Sequence, residues 1–112
     1  MQIRKRCRCR AYTRKHLRAE NRRFRGSGGV SQNNAQQGFI PAFRDCATGQ
    51  VYRSCFANGC PAPIHLLDGL PDELVLARND AGRAIALRPT VIAGFVRNLD
   101  FYTREQAAQL VG

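Results

Sequence analysis

The sequence predicts an α+β fold: two antiparallel β-hairpins forming a small sheet, a C-terminal helix packed on it, and a basic N-terminal extension. Three observations lead there. Positive charge is confined to the start of the chain. Two pairs of apolar runs flank four-residue, glycine-bearing turns. A helix-capping signature stands close to the C-terminus.

Residues 4–25 hold 11 of the 18 lysines and arginines: Arg4, Lys5, Arg6, Arg8, Arg10, Arg14, Lys15, Arg18, Arg22, Arg23 and Arg25, against the single acid Glu20. From Gly26 onward seven arginines balance seven acids, so the net charge of +10 belongs to the first 25 residues. This divides the chain into a basic arm (1–25), a glycine-rich and polar linker (26–37) and a small α+β domain (38–112). A body of that size buries a modest core, so a partner or a homodimer would add to its stability.

Within the arm, Arg4 to Arg10 alternates arginine with cysteine. Like charges repel and there is little to bury, so this run is expected to be extended or disordered alone. Ala11 to Phe24 is rich in helix formers and predicts a helix that forms against a partner surface, with Thr13 as N-cap. Leu17 and Phe24 would share a face, and His16 would pair with Glu20 one turn on. Gly26-Ser27-Gly28-Gly29 ends the helix and reads as a flexible joint. Val30 to Gln37, polar and uncharged, reads as loop.

Phe39 to Phe56 predicts the first hairpin. Its turn is Cys46-Ala47-Thr48-Gly49, and pairing Phe43 with Tyr52 and Phe39 with Phe56 puts four aromatics on one face. Pro41 places the first strand at a sheet edge. Pro71-Asp72-Glu73 opens one helical turn. Leu74 to Leu87 predicts the second hairpin around Asn79-Asp80-Ala81-Gly82, with Leu76 opposite Ile85 and Leu74 opposite Leu87. Val91 to Val96 suits either strand or helix. Thr103-Arg104-Glu105-Gln106 is a capping box, so a helix should run from Arg104 to about Val111, stapled by Tyr102 and Ala107.

Composition excludes some classes. No run is long and apolar enough to span a membrane. No apolar segment follows the basic start, so no secretory signal is expected. Five cysteines, an odd number, fit a reducing, cytoplasmic setting better than a disulfide framework. Catalysis finds little support. Asp68, Asp72 and Glu73 cluster in a Pro/Gly turn, and His65 with Asp68 lacks a nucleophile. The glycines at 26–29 lack the Lys-Ser/Thr of a phosphate loop.

The arm carries the functional expectation. Arginine outnumbers lysine nine to two in residues 4–25, beside Tyr12 and Phe24. That mixture suits bidentate phosphate contact and occasional base stacking, as in a non-catalytic protein that binds RNA or DNA. An alternative is a protein-interaction module that occupies a nucleic-acid-handling complex and uses an apolar sheet face. A third concerns Cys46, Cys55, Cys60 and His65, spaced C-x8-C-x4-C-x4-H. Three thiolates and an imidazole can close a tetrahedral zinc site. The spacing resembles the CCCH zinc fingers, whose members often bind single-stranded RNA, with the third cysteine one place early. Pairing of the first hairpin explains the same residues without metal, so no cofactor is the primary expectation.

GGVS (28–31), GFIPAF (38–43), APIHLLDGLPDEL (62–74) and GFVRNLDFYTREQAA (94–108) resemble stretches of small uncharacterised bacterial proteins, some linked to phages or other mobile elements. The resemblance implies a bacterial or phage source and a compact body, with no established chemistry.

Overall fold

The computed structural model describes residues 10–111. In chain order its elements are β1 (Tyr12–Thr13), α1 (Arg14–Arg23), α2 (Ser31–Asn34), β2 (Ile40–Asp45), β3 (Gln50–Arg53), β4 (Val75–Arg78), β5 (Ala84–Leu87), β6 (Val91–Arg97), β7 (Asp100–Thr103) and α3 (Arg104–Val111). Short 3-10 turns occupy Ala35–Gln37 and Asp72–Leu74. The α+β class and the C-terminal helix hold. The single small sheet does not: the strands form two antiparallel sheets, one ordered β1-β5-β4 and the other β3-β2-β6-β7.

The two expected hairpins therefore part company. The β2–β3 hairpin forms with Phe43 opposite Tyr52, and Gly49 closes its turn at φ +79°. The second expected pair fails, because Phe39 precedes the strand and Phe56 follows the end of β3. Nor is β2 an edge. It lies between β3 and β6, with Ile40 opposite Val96 and Asp45 opposite Val91. Pro41 is tolerated because β3 stops at Arg53. The Pro41 carbonyl still accepts from Ser54 N–H, while the Ser54 carbonyl, the partner a residue-41 amide would seek, takes Ala62 N–H instead. Val91 to Val96, ambiguous by pattern, is strand because β6 runs in the centre of this sheet.

In the second hairpin the register differs from expectation. Val75, not Leu74, faces Leu87, and irregularities follow at Ala77 and Arg78. Leu74 is buried from the preceding 3-10 turn, which leaves Leu76 exposed. Its turn follows the sequence: Asn79 Oδ1 accepts from the amides of Ala81 and Arg83 at 3.0 Å each.

Two apolar clusters hold the layers. The larger joins Tyr12, Leu17 and Leu87 with Phe43, Leu67, Leu70, Leu74 and Val91, so it lies between the sheets and under α1. The smaller packs Phe39 and Phe95 against Ala107 of α3, with Tyr102 alongside as the staple predicts. The capping box is complete. Gln106 N–H donates to Thr103 Oγ1 at 3.1 Å, and Gln106 Oε1 accepts from Thr103 N–H at 2.9 Å.

The boundary between arm and body is not at residue 25. Tyr12 and Leu17 belong to the core, and β1 extends the first sheet by pairing Tyr12 with Leu87. The joint and linker are packed as well. A Cβ on Gly28 would stand 2.4 Å from Cβ of Val111 and 2.9 Å from the Ala107 carbonyl oxygen, so glycine is what lets α3 close on this turn. Buried Asn34 donates from Nδ2 to the Gly28 carbonyl at 2.7 Å.

The β6–β7 turn departs from ordinary chemistry. Asn98 and Leu99 both have positive φ, 54° and 74°, and Leu99 is 97% exposed. Asparagine tolerates this region, whereas leucine is strained there by contact of Cβ with the backbone. The exposed side chain offsets none of that cost by burial. Leu99→Gly is expected to raise stability by about 0.5–1 kcal/mol, read as a higher thermal midpoint at unchanged secondary structure.

Candidate nucleic-acid interface

Helix α1 is positioned by its own sequence and by one distant arginine. Thr13 caps it as expected, accepting His16 N–H at Oγ1 over 3.1 Å. Tyr12 is fully buried, stacks on the His16 ring at 4.8 Å and donates its hydroxyl to Glu20 Oε1. His16 Nε2 also approaches Glu20 Oε2, at 3.4 Å. Leu17 points into the core and Phe24 closes the last turn. These contacts turn one face inward and leave the other to solvent.

The distant group is Arg104, the first residue of α3, only 2% exposed. Its Nη1 donates to the Gly29 carbonyl at 3.0 Å, and Nη2 to Asn21 Oδ1 at 2.7 Å. Nη2 also lies 3.3 Å from His65 Nδ1, and Nε faces Glu20 Oε1 at 3.7 Å. A buried cation is costly unless most of its donors are met and a counter-charge is close; here Nη1 and Nη2 are bonded while Nε makes no hydrogen bond. Glu20 supplies that charge. Burial works to lower the guanidinium pKa, and the nearby acids oppose it.

His65 completes the arrangement. The Ser54 hydroxyl donates to the Ile64 carbonyl and accepts Leu66 N–H, each at 2.8 Å, so residues 64–66 are clamped to the end of β3. His65 is thereby driven between the rings of Phe43 and Phe95, with centroids 5.3 and 5.1 Å away. Its Nε2 meets the Gly94 carbonyl at 2.7 Å and its Nδ1 faces Arg104. An N–H is all that Arg104 can offer, so Nδ1 is the acceptor and Nε2 carries the proton. Burial first, and the Arg104 charge second, push the His65 pKa down to about 3.

Glu20 is half-buried against Tyr12 and Arg104, and the outer face of α1 is otherwise made of cations. Lys15, Arg18, Arg22 and Arg23 are exposed on the helix, Arg10 and Arg25 flank it, and Arg14 is half-buried. They fall into two sets. Arg10, Lys15 and Arg23 border an open hollow on one side of the helix, together with Glu20, and Arg23 lies 3.7 Å from Glu105 of α3. Arg14, Arg18, Arg22 and Arg25 border the other side, where two adjoining clefts of about 280 and 160 Å³ share Asn21 and His65 as floor. The opposite wall is residues 64–68 with Arg83. There Asp68 is neutralised by Arg83, Oδ2 to Nη2 at 2.6 Å, and the hydrogen bond from Arg83 holds its carboxyl below the usual range. Arg4, Lys5, Arg6 and Arg8 lie outside the described residues.

The zinc alternative is not assembled. Cys46 and Cys60 are exposed, Cys55 is half-buried, and both nitrogens of His65 are engaged elsewhere. Among the described residues, no three His, Cys, Asp or Glu side chains group as metal ligands. Cys46 lies in the β2–β3 turn, and Cys55 bridges to Pro61. Spacing along the chain did not become proximity. No described helix is long and apolar enough to cross a membrane.

Comparison with protein-family models, curated proteins and solved structures finds no match for this chain.

Arg104 and Asn21 carry no sequence signal of their own, since one stands in a capping box and the other in a polar helix. His65 does carry one: a single histidine within the apolar run Ile64–Leu67 is the pattern of a buried polar group.

Two outcomes test this network. Arg104→Met would leave Asn21 Oδ1 and the Gly29 carbonyl without their shared donor and Glu20 without its buried counter-charge. It is expected to cost about 3–5 kcal/mol by chemical denaturation, with faster amide exchange along α1. His65 stays neutral in the fold down to about pH 3 but titrates near 6.5 when unfolded. Between those values the unfolded chain binds the extra proton. His65 therefore makes stability fall as pH drops below 6.5, by up to about 1.4 kcal/mol per pH unit, and contributes no slope above it. In His65→Gln, stability measured from pH 6.5 down to about 4.5, above the carboxylate range, should lose most of that slope.

Proposed function

We propose that the protein is a non-catalytic nucleic-acid-binding protein whose folded helix α1 makes the phosphate contacts. One observation carries this reading. Glu20, the only acid in residues 4–25, is engaged by Tyr12 and Arg104, so the side of α1 that carries Arg14, Arg18 and Arg22 has no acid of its own helix. Anchored arginines lose less freedom on binding than arginines of a free tail, and their forked donors suit phosphate oxygens. Residues 1–9 continue the charge with Arg4, Lys5, Arg6 and Arg8. The neutral remainder of the chain serves as the scaffold that holds the helix.

Phosphate binding releases counterions, so affinity should fall steeply with salt. If six to eight phosphates of a duplex are neutralised, log K against log salt has a slope of about −5 to −7. Replacing Arg18 and Arg22 together by alanine should weaken binding and flatten the slope by about two, one for each phosphate contact. Fluorescence anisotropy of a labelled duplex across a salt series reads both. Binding indifferent to salt, or a slope unchanged in the double variant, would refute the proposal. A protein partner retained by the full chain after nuclease treatment would favour the interaction-module reading instead.

A further inference from the structure

The paired clefts beside α1 have a feature that phosphate binding alone does not use. Their floor holds Asn21, whose orientation is fixed by chemistry. Arg104 Nη2 can only donate, so the Asn21 oxygen must face it, and Oδ1 accepts at 2.7 Å. The amide nitrogen, with two protons, is then directed away from Arg104. Asn21 is itself exposed and lines both clefts. Across from it stands Ile64, 55% exposed although aliphatic. Above the floor, Arg14, Arg18 and Arg22 recur every fourth residue, about 6 Å apart along the helix axis.

We propose that this groove takes an extended single strand of nucleic acid, with its phosphates on Arg14, Arg18 and Arg22 and a base inserted against Ile64 so that an acceptor on its edge meets the Asn21 amide. The inference rests on the reading of α1 as a phosphate-binding helix. Two considerations select a single strand. Unstacked bases expose the edges and faces that a side chain can read. The cleft is concave, about 280 Å³ at its wider part. The outer arginines would engage a duplex while Asn21 below them stayed out of its reach.

The full chain is titrated at one salt concentration with three probes: a mixed-sequence single strand of about twelve nucleotides, the same strand without bases, and the corresponding duplex. The single strand should bind tightest, and loss of the bases should weaken binding about five- to tenfold, the scale of one hydrogen bond plus apolar contact. Asn21→Asp keeps the acceptor for Arg104 and removes the amide protons. Its added charge acts on the normal and base-free strands alike, so the gap between those two affinities should close while thermal stability is kept. A duplex bound as tightly as the single strand, a base-free strand bound as tightly as the normal one, or a gap that survives Asn21→Asp would overturn the inference and leave phosphate binding by α1 standing. Failure of all three probes to bind would overturn both.

Discussion

The Arg104 guanidinium is the group on which the arrangement depends. It stands at the start of α3, yet its partners lie on α1, on the turn after α1 and at His65. A cation buried to this degree must be surrounded by acceptors, and each acceptor comes from a different part of the chain. Meeting that requirement fixes where α1 lies against the sheets. It also fixes the tautomer of His65, and through its other nitrogen ties the network to the Gly94 carbonyl in the centre of the second sheet.

The same interaction governs the surface. Glu20 placed outward would neutralise part of the helix face and stand one turn from Arg23. Drawn in by Tyr12 and Arg104, it leaves Arg14, Arg18 and Arg22 uncompensated by their own helix. Interior electrostatics and exterior charge are thus two sides of one choice. The scaffold reinforces it on the far wall, where Arg83 cancels Asp68 within the groove.

What could be read from the sequence was what is local. The caps at Thr13 and Thr103, the turns at Cys46–Gly49 and Asn79–Gly82, and the Phe43–Tyr52 pair each depend on residues within about ten of one another. Contacts that join remote segments were not legible. Nothing near Tyr12 announces a strand partner at Leu87, so the cationic stretch looked like a detached arm and the glycine-rich joint like a hinge. The three cysteines and the histidine spaced as metal ligands lie apart in the fold for the converse reason. Their spacing measured distance along the chain, and the clamp by Ser54 turned His65 into the core instead. For the site, the charge was visible and its placement was not, because Asn21 and Arg104 gain their roles only from each other.

The bond between Arg104 and the Gly29 carbonyl joins residues 75 apart, and the pairing of Tyr12 with Leu87 spans the same separation. Such closures carry the largest loop entropy and come late in folding. Synthesis compounds the delay. The cationic helix is synthesised before the strand and arginine that seat it. Until then its apolar side chains are uncovered. A nascent chain therefore carries the charge well before it carries the surface, and those arginines stand in fixed order beside a formed groove only once Arg104 has joined the fold.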